Sequence, residues 1–489
     1  MKLDELLIGF TTRSIDIEIL GLALNSQQVS SGYAFMALNG EHSHGLDYAD
    51  PVIKQGARVI IYDPKGGGKA LAMKLTPFPL IEIENLESKL ADIAARFYCY
   101  PAQKLAVIGV TGTNGKTSCS QFLAQVLPDS IVVGTLGWGV WGKLQKTQNT
   151  TPDALSLHAI LAHCVNEKKK LLTLEVSSHG LELGRVKHVK FKGAIFTNLT
   201  QDHLDFHPSM EAYFQAKCSL FKRPELEFAI VNLDDAYGLR IIDALSEHVV
   251  LWTFSCRGKT LNQGNSLVAE KIQFVTTGLC FEVRYKNESV TVSSDFYGEF
   301  NVENILAMMA TLLALGESLT EAAKKATSLK AISGRMERFS NTKSPQVFVD
   351  YAHTPDALLK SLTALKQHHH QQISLVFGCG GNRDKGKRMQ MGKVASQQAH
   401  RIIITDDNPR YENNQAIICD ILTDCDRDKV TIITDRKAAI TRAIRQASSD
   451  DCILIAGKGH EDYQTIEGTH YSFSDQEIVE QVLQEWVAP

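Results

Sequence analysis

Residues 109–117 read Gly-Val-Thr-Gly-Thr-Asn-Gly-Lys-Thr, and this stretch decides the fold of the region around it. An apolar run at 105–109 precedes it, and apolar residues follow at helical spacing over 122–127. A strand, a glycine-rich loop and a helix in this order bind phosphate through backbone N–H groups, a lysine and a hydroxyl that reaches Mg²⁺. The strict pattern needs a glycine at Val110, so residues 112–117 are a tighter variant. We predict nucleotide binding; the alternative is an ordinary strand-to-helix turn that holds a lysine.

The size and composition of the chain limit its class. Its 489 residues suggest about three domains, and 22% charged with 44% hydrophobic residues is typical of a globular protein. The net charge of −4 provides no attraction to nucleic acid or to an anionic membrane. The N-terminus does not resemble a signal peptide, no apolar run is long enough to cross a bilayer, and the 10 cysteines include no C-x-x-C pair. We therefore expect a cytoplasmic protein without a nucleic-acid or membrane partner.

The order of apolar and helical segments predicts an α/β protein of three domains. Residues 1–95 are predicted to form a small N-terminal α/β domain and residues 96–330 a central P-loop-type ATP-binding α/β domain. Residues 331–489 are predicted to form a C-terminal Rossmann-like, doubly wound domain, because five strands alternate with helices there. Within the central domain, segments 249–256 and 268–296 are predicted to form antiparallel hairpins.

Each predicted strand of the last domain is followed by polar or glycine-rich residues. These segments are 350–353, 378–383, 406–410, 435–436 and 457–461. Ligands of parallel sheets bind beyond the carboxyl ends of the strands. Because a purely structural sheet would not need this chemistry, the pattern predicts a binding site at that edge.

Several single residues have both a functional and a structural interpretation. Glu175, at a strand end, is a candidate Mg²⁺ contact, direct or through water; the alternative is a helix-capping or solvated glutamate. His203 is a candidate metal ligand, although an isolated histidine is more often structural. Asn301 and Asn304 share a helix face and could hydrogen-bond an adenine edge, whereas capping alone would account for the first. From its helical surroundings alone, Lys217 is expected to be solvated.

Together these segments resemble the Mur ligases, which are ATP-dependent amide-forming enzymes of peptidoglycan precursor synthesis. The resemblance covers nearly the whole chain, and its motifs are 112–117, 175–179, 197–203, 298–304, 334–337 and 350–355. The motifs 407–410 and 457–461 narrow it to family members that add diaminopimelate. It implies a UDP-sugar-binding first domain, an ATP-binding catalytic second domain and an amino-acid-binding third domain.

The resemblance also assigns the residues of the nucleotide and metal sites. It implies that ATP is bound by Thr111, Gly112, Thr113, Asn114, Gly115, Lys116, Thr117, Asn304, Arg335 and Asp350. The implied catalytic residues are Lys116, Glu175, His203 and Lys217, and the implied Mg²⁺ ligands are Thr117, Glu175, His203 and Lys217. Lys217 matches the family's carbamylated lysine, and a carbamate supplies the oxygen donors that Mg²⁺ prefers.

For the UDP-linked substrate, the family pattern implies a longer set of contacts. These are Leu24, Ser26, Glu41, His42, Ser43, Asn149, Thr150, Thr151, Ser177 and Arg185. The chain departs from the family pattern at two places. Family members commonly have Asp-Ser-Arg where this chain has Asn25-Ser-Gln27, and a glutamine where it has Leu183.

The implied amino-acid site comprises Arg383, Asp407, Asn408, Pro409, Arg410, Gly457 and Glu461. Diaminopimelate carries a distal carboxylate that a planar guanidinium binds bidentately, and Arg410 is its expected partner. Lysine lacks this group and would leave Arg410 as an unpaired, partly buried cation, which is costly. Arg383 and Glu461 would complete the contact, Glu461 by binding the distal ammonium.

The implied reaction adds meso-diaminopimelate to the D-Glu γ-carboxylate of UDP-N-acetylmuramoyl-L-Ala-D-Glu through an acyl phosphate and releases ADP and phosphate. ATP and Mg²⁺ are the expected cofactors, the two small molecules are the expected partners, and the protein is expected to be a monomer. Two alternatives stay open. A sibling ligase, such as a folylpolyglutamate synthase or the lysine-adding relative, would differ at residues 407–410. A non-catalytic nucleotide switch or transporter subunit would hydrolyse ATP without needing an amino acid.

Overall fold

The computed structural model describes residues 1–40, 43–262, 264–341, 344–369 and 372–487. The chain divides into two compact units, one of residues 1–109 and 129–192 and the other of residues 110–128 and 193–489. Within the described ranges, no helix is both long and apolar enough to cross a membrane. All ten cysteines are free thiols.

The first unit begins with a four-stranded parallel sheet in the order β1-β2-β3-β4. Its strands are Gly21–Ala23, Tyr33–Ala37, Val59–Tyr62 and Leu80–Glu82, and helices α1 to α4 are Leu3–Leu7, Ala49–Lys54, Gly68–Met73 and Leu86–Phe97. Successive strand residues face opposite sides. Met36 and Ile61 therefore pack in one core, and Phe35 and Ile60 pack in another.

The next stretch of the chain contains the glycine-rich loop. Its elements are β5 Ala106–Thr111, α5 Lys116–Val126, β6 Ile131–Gly134, β7 Gly137–Val140, β8 Lys143–Gln145, α6 Ala154–Asn166, β9 Leu171–Glu175, α7 Ser178–Glu182 and β10 Phe191–Phe196. In the first unit, β9 pairs with β6 in parallel, and β6, β7 and β8 form an antiparallel meander. The predicted strand–loop–helix at 105–127 is present.

The next elements of the chain belong to the second unit and include first parallel and then antiparallel strands. Its elements are α8 Met210–Cys218, β11 Phe228–Asn232, α9 Gly238–Ile242, β12 Val250–Ser255, β13 Asn265–Val275, β14 Gly278–Tyr285, β15 Glu288–Ser294, α10 Glu299–Ala314 and α11 Leu319–Thr327. The antiparallel prediction for 268–296 is confirmed by β13, β14 and β15. It is wrong for 249–256, because β12 pairs in parallel with both β11 and β13. Local alternation does not encode the direction of the partner strand; the α9 crossover makes β12 parallel to β11.

The last part of the second unit is a six-stranded sheet in the order β16-β17-β21-β18-β19-β20. Its elements are β16 Glu337–Phe339, β17 Gln346–Asp350, α12 Pro355–His368, β18 Ile373–Phe377, α13 Gly386–Gln398, β19 Arg401–Ile404, α14 Asn414–Leu422, β20 Val430–Ile432, α15 Arg436–Arg445, β21 Cys452–Ala456, β22 Tyr463–Ile466, β23 Thr469–Ser472 and α16 Asp475–Gln484. Only β16 is antiparallel to its neighbour in this sheet. Leu358 and Met391 pack on one face, and Ile440 and Val479 pack on the other. Helices on both faces confirm the predicted doubly wound sheet.

Candidate active site

The loop between β5 and α5 has the geometry of a phosphate-binding loop. Gly112 has φ of +151° and Gly115 has φ of +84°, which L side chains rarely adopt. A Cβ on Gly112 would overlap Oγ1 of Thr197, and one on Gly115 would lie 2.5 Å from Oδ1 of Asn304. Both positions therefore require glycine. Because Gly115 immediately precedes α5, the N–H groups of the first helical turn are directed at the loop.

The segment after β10 holds this loop in place. The N–H of Thr113 donates to the backbone carbonyl of Asn198, and the N–H of Asn114 donates to the side-chain Oδ1 of Asn198, both over 2.9 Å. Thr197 donates from Oγ1 to the carbonyl of Asn114 over 2.6 Å. The structure thus brings together the predicted motifs 112–117 and 197–203.

Two lysine amines meet at the loop carbonyls. Lys116 donates from Nζ to the carbonyls of Gly112 and Thr113, and Lys217 donates from Nζ to the same Gly112 carbonyl, all over 2.9 Å. Lys217 is only 1% exposed, and its Nζ lies 4.5 Å from the centre of the Tyr213 ring. The expectation that Lys217 is solvated is therefore wrong, because α8 is buried along most of its length.

The surroundings of Lys217 change the chemistry of its amine. Burial, reinforced by the positive charge of Lys116, lowers the pKa of Lys217 well below its usual value. A neutral amine can attack CO₂, and the resulting carbamate has the oxygen donors that Mg²⁺ prefers. Among the described residues, no group of three or more His, Cys, Asp or Glu side chains could hold a metal. The hydroxyl of Thr117 and a carbamate on Lys217 fit Mg²⁺, whereas the unmodified lysine does not.

Asp202 is a site residue that the sequence analysis missed. Its Oδ2 lies 3.4 Å from Nε2 of His203 and 3.9 Å from Nε2 of His353. Burial opposes its ionisation, but His203, His353 and Lys387 together lower the pKa of Asp202 to about 2. His203, predicted as a metal ligand, therefore lies beside a carboxylate. The position of Asp202 inside the motif 197–203 was the signal that could have identified it.

Arg335 and Asp350 belong to the C-terminal part of the second unit, and Arg335 contacts the helix that follows the phosphate loop. Arg335 donates from Nη2 to Oγ1 of Thr117 over 3.0 Å. Asp350 accepts from the N–H of Met336 over 3.0 Å and from Oγ of Ser361 over 2.6 Å. Burial raises the pKa of Asp350, although Ser361 and Arg335 act in the opposite direction. Thr117 and these two predicted nucleotide contacts therefore lie in one region.

Asn304, on α10, is fixed from several sides. Its Nδ2 donates to Oδ1 of Asn301 over 3.4 Å, and Sγ of Cys119 donates to its Oδ1 over 3.5 Å. The same Oδ1 lies against Gly115, as described above. The amide is thus held at the start of α5, within the predicted nucleotide site.

In the first unit, Glu175 belongs to a polar network at the end of β9. It is fully buried, and it accepts from the N–H and Oγ1 of Thr135 over 3.0 and 2.9 Å. Thr151 donates from Oγ1 to the backbone carbonyl of Glu175 over 2.8 Å and contacts Oγ of Ser177 over 3.0 Å. Arg185 donates from Nη1 to the carbonyl of Thr151 over 2.9 Å. Four predicted residues are therefore connected, and Thr150 joins them through a 3.0 Å contact between its Oγ1 and that of Thr135.

The first unit also contains a cavity of about 750 Å³. Four of the predicted UDP-substrate contacts line it, namely Leu24, Ser26, Ser43 and Asn149. Thr150, Thr151, Ser177 and Arg185 are not among its lining residues but belong to the Glu175 network. The predicted contacts Glu41 and His42 lie outside the described residues.

The predicted amino-acid site lies after β18 and β19 in the second unit. Arg410 has φ of +55°, and it donates from Nη1 to the carbonyl of Gly381 over 2.8 Å. Its N–H donates to the carbonyl of Thr465 over 3.0 Å, which fixes the backbone against β22. Arg383 is half exposed, with Nη1 3.9 Å from Oδ2 of Asp205. The guanidinium of Arg410 is thus held at the glycine-rich loop that carries Arg383.

Glu461 is joined to this region by a buried lysine. Oε2 of Glu461 accepts from Nδ2 of Asn408 and from Nζ of Lys458, both over 2.9 Å. Lys458 is completely buried and also donates to Oδ1 of Asn408 over 3.2 Å. A Cβ on Gly457 would lie 2.6 Å from Oδ2 of Asp407, so these two loops touch. Lys458 was not predicted to be a site residue, although it lies inside the motif 457–461.

Sequence models of three domains match the chain in order. They are "Mur ligase family, catalytic domain" at residues 18–98, "Mur ligase middle domain" at residues 110–312 and "Mur ligase, glutamate ligase domain" at residues 334–459. The chain belongs to the Mur ligase family. Because the matches span most of the sequence, the family covers both compact units.

Relatives of nearly equal length carry one name. The UDP-N-acetylmuramoyl-L-alanyl-D-glutamate–2,6-diaminopimelate ligase of Coxiella burnetii is 40% identical over 96% of this chain and 96% of its own. The protein of that name from Pseudomonas aeruginosa is 40% identical over 100% of this chain and 99% of its own. A solved structure with this name has 31% identity and a TM-score of 0.65, and the match covers 99% of both chains.

These comparisons confirm the predicted family, the predicted α/β architecture of three Mur ligase domains and the predicted ligase activity. They give no support to the alternative of a non-catalytic nucleotide switch. The shared name of the relatives agrees with the predicted substrates. The domain boundaries and the roles of individual site residues stay predictions.

Proposed function

We propose that this Mur ligase joins meso-diaminopimelate to the γ-carboxylate of D-Glu in UDP-N-acetylmuramoyl-L-Ala-D-Glu, using ATP, during peptidoglycan precursor synthesis. One observation supports the proposal above all. Thr117 of the phosphate loop accepts a hydrogen bond from Arg335, so the loop contacts the C-terminal region that carries Arg410. A ligase needs this arrangement because its activated acyl group and its incoming amine must meet.

In the first step, an oxygen of the D-Glu γ-carboxylate attacks the γ-phosphorus of ATP, and the bond from that phosphorus to the bridging oxygen breaks. An acyl phosphate and ADP are formed. Lys116, with the N–H groups at the start of α5, offsets negative charge on the transferring phosphoryl group. When it binds phosphate, the Lys116 amine must exchange the loop carbonyls of Gly112 and Thr113 for phosphate oxygens.

In the second step, an amine of diaminopimelate attacks the acyl carbon, phosphate leaves from the tetrahedral intermediate, and the amine loses a proton. Water must be kept away from the acyl phosphate during this step. Hydrogen bonds that cross from the loop to the C-terminal region, such as Asn114 Nδ2 to Asp356 Oδ2 over 3.1 Å, support a closed arrangement of the second unit.

Mg²⁺ is proposed as the metal cofactor, and it would supply positive charge at the phosphates. Thr117, His203 and a carbamylated Lys217 are its proposed ligands in the second unit, and Glu175 is a further proposed ligand. The buried amine of Lys217 supports this proposal because its lowered pKa favours reaction with CO₂.

Selection of diaminopimelate is proposed to depend on Arg410, which would bind the distal carboxylate. Arg383 and Glu461 would contact the remaining groups, and Glu461 is already oriented by Asn408 and Lys458. We further propose the domains 1–95, 96–330 and 331–489, a monomeric state and a cytoplasmic location. Ten free thiols support the last of these.

The proposed reaction is tested by omitting each substrate in turn. Purified protein is incubated with Mg-ATP, UDP-N-acetylmuramoyl-L-Ala-D-Glu and meso-diaminopimelate, and products are identified by mass spectrometry. We expect the UDP-linked tripeptide and ADP only in the complete mixture. ADP formation that needs neither of the other substrates would contradict the proposal.

A further inference from the structure

The cavity of the first unit has an uneven distribution of charge. Among the described residues that line it, only Lys146 and Asp153 carry formal charges at neutral pH. Asp153 caps α6, and its carboxylate accepts from the N–H and the Oγ of Ser156 over 3.0 and 2.6 Å. Lys146 is therefore the one cation on the described part of the cavity wall.

The backbone around Lys146 is anchored to the sheet. Thr147 follows it and donates from Oγ1 to the carbonyl of Gly134 over 2.8 Å. Thr147 and Asn149 line the same cavity, so the segment after β8 forms one of its walls. Lys146 is exposed to solvent at this wall.

The residues between β1 and β2 that line the cavity supply no positive charge. Asn25 and Gln27 line the cavity, and the N–H of Gln27 donates to Oδ1 of Asn25 over 2.9 Å. Both side chains are neutral amides. Among the described lining residues, an anionic ligand would therefore find amide and hydroxyl groups between β1 and β2 and an ammonium group only at Lys146.

We propose that Lys146 binds the diphosphate of the UDP-linked substrate. This inference rests on the proposed function, which requires a UDP-sugar site in the first unit. Each phosphate of the diphosphate keeps a negative charge at neutral pH, and removing these charges from water is costly unless a cation pairs with them. A cavity of about 750 Å³ is of a size that accommodates such a ligand. Lys146 thus contributes to affinity for the nucleotide and takes no part in the chemistry.

The inference is tested by calorimetric binding of UDP and of uridine, which differ by the diphosphate. Lys146→Ala is expected to weaken UDP binding roughly 10-fold or more, the usual effect of losing a charge-assisted hydrogen bond, while uridine binding stays unchanged. Lys146→Arg is expected to retain most of the UDP affinity. Lys143→Ala is the matched control, because Lys143 is an exposed lysine on β8 that does not line the cavity.

Turnover provides a second measurement. In Lys146→Ala, the KM for UDP-N-acetylmuramoyl-L-Ala-D-Glu is expected to rise by a similar factor, with the KM for ATP unchanged. UDP binding that is unaffected by Lys146→Ala would overturn the inference, as would an equal loss of affinity for UDP and uridine. Either result would leave the proposed function unaffected. A wild-type protein that binds no UDP and forms no tripeptide would contradict the proposed function and the inference together.

Discussion

Arg335 donates a hydrogen bond from Nη2 to Oγ1 of Thr117 over 3.0 Å. Its guanidinium carbon also lies 4.4 Å from the centre of the Tyr351 ring, a cation–π contact directly after β17. Thr117 lies in the first turn of α5, directly after the phosphate loop, so Arg335 reaches the place where the outer phosphates of a nucleotide would bind. The contact connects the two parts of the second unit.

Replacing Arg335 with Ala is therefore expected to raise the KM for ATP roughly 10-fold, because a charge-assisted contact is lost. Initial rates at varied ATP measure this. Arg338→Ala is the control, since Arg338 donates to the Tyr297 hydroxyl and not to the loop. An unchanged KM for ATP in Arg335→Ala would contradict the placement of Arg335 in the nucleotide site.

Lys116→Ala is expected to lower kcat by at least about 100-fold, because positive charge at the transferring phosphoryl group is removed. The fold should stay intact, which circular dichroism would check. The exposed Lys104, in the turn before β5, supplies the control variant Lys104→Ala. Near-normal turnover of Lys116→Ala would refute the assignment of the phosphate loop.

Lys217 is expected to influence stability in CO₂-free buffer. Folding lowers the pKa of its amine, so the unfolded chain binds more protons than the folded one at pH values between the folded and unfolded pKa. The free energy of unfolding should consequently rise with pH up to the unfolded value near 10.5. Lys217→Met should reduce this rise, whereas Lys222→Met, at an exposed position, should not.

The same lysine gives a direct test of modification. With isotopically labelled bicarbonate, the wild-type protein should show a carbamate carbon signal by NMR that is absent in Lys217→Met. An identical spectrum in both proteins would contradict the proposal that a carbamate on Lys217 is a metal ligand.

The sequence allowed the C-terminal sheet to be predicted well because its inner strands are largely buried and separated by helices of ordinary length. Chain order and the right-handed crossover rule then leave few topologies. Strand β12 was mispredicted because direction of pairing depends on the preceding crossover. Its own side chains carry no information about it.

Site motifs were easier to predict than the environments of their residues. Gly112 and Gly115 were recognisable because only glycine fits their backbone angles and close contacts. The burial of Lys217 was not, since a helix carrying lysine and glutamine normally faces solvent. Lys458 and Asp202 were overlooked for a related reason, because one partner of each, Asn408 and His353 respectively, comes from a segment distant in sequence.

The buried pair of Arg436 and Asp475 tests the stability of the C-terminal sheet. Both side chains are 0% exposed, and Arg436 donates from Nε and Nη2 to the two Asp475 oxygens over 2.8 Å. Arg436→Met should lower the free energy of unfolding by about 3–5 kcal/mol, because Asp475 would be left as an unpaired buried charge. Urea denaturation measures this loss. Adding Asp475→Leu should restore part of it, and Arg445→Met at an exposed pair should change little.

Arg410→Ala is expected to raise the KM for diaminopimelate roughly 10- to 100-fold without changing the KM for ATP, because a bidentate contact with the distal carboxylate is lost. Steady-state kinetics at saturating ATP would measure it. Arg401→Ala is the control, since Arg401 is exposed at the opposite end of β19. Equal KM values for diaminopimelate in the wild type and in Arg410→Ala would contradict the assignment of Arg410 to the amino-acid site.

The most direct test of the central claim is phosphate release from Mg-ATP and UDP-N-acetylmuramoyl-L-Ala-D-Glu, with meso-diaminopimelate or L-lysine added in parallel. We predict release with diaminopimelate and none above background with lysine. Release with lysine instead would be consistent with an amino-acid ligase but would contradict the proposed role of Arg410. No release with either, from folded protein that binds ATP, would contradict the proposed substrate.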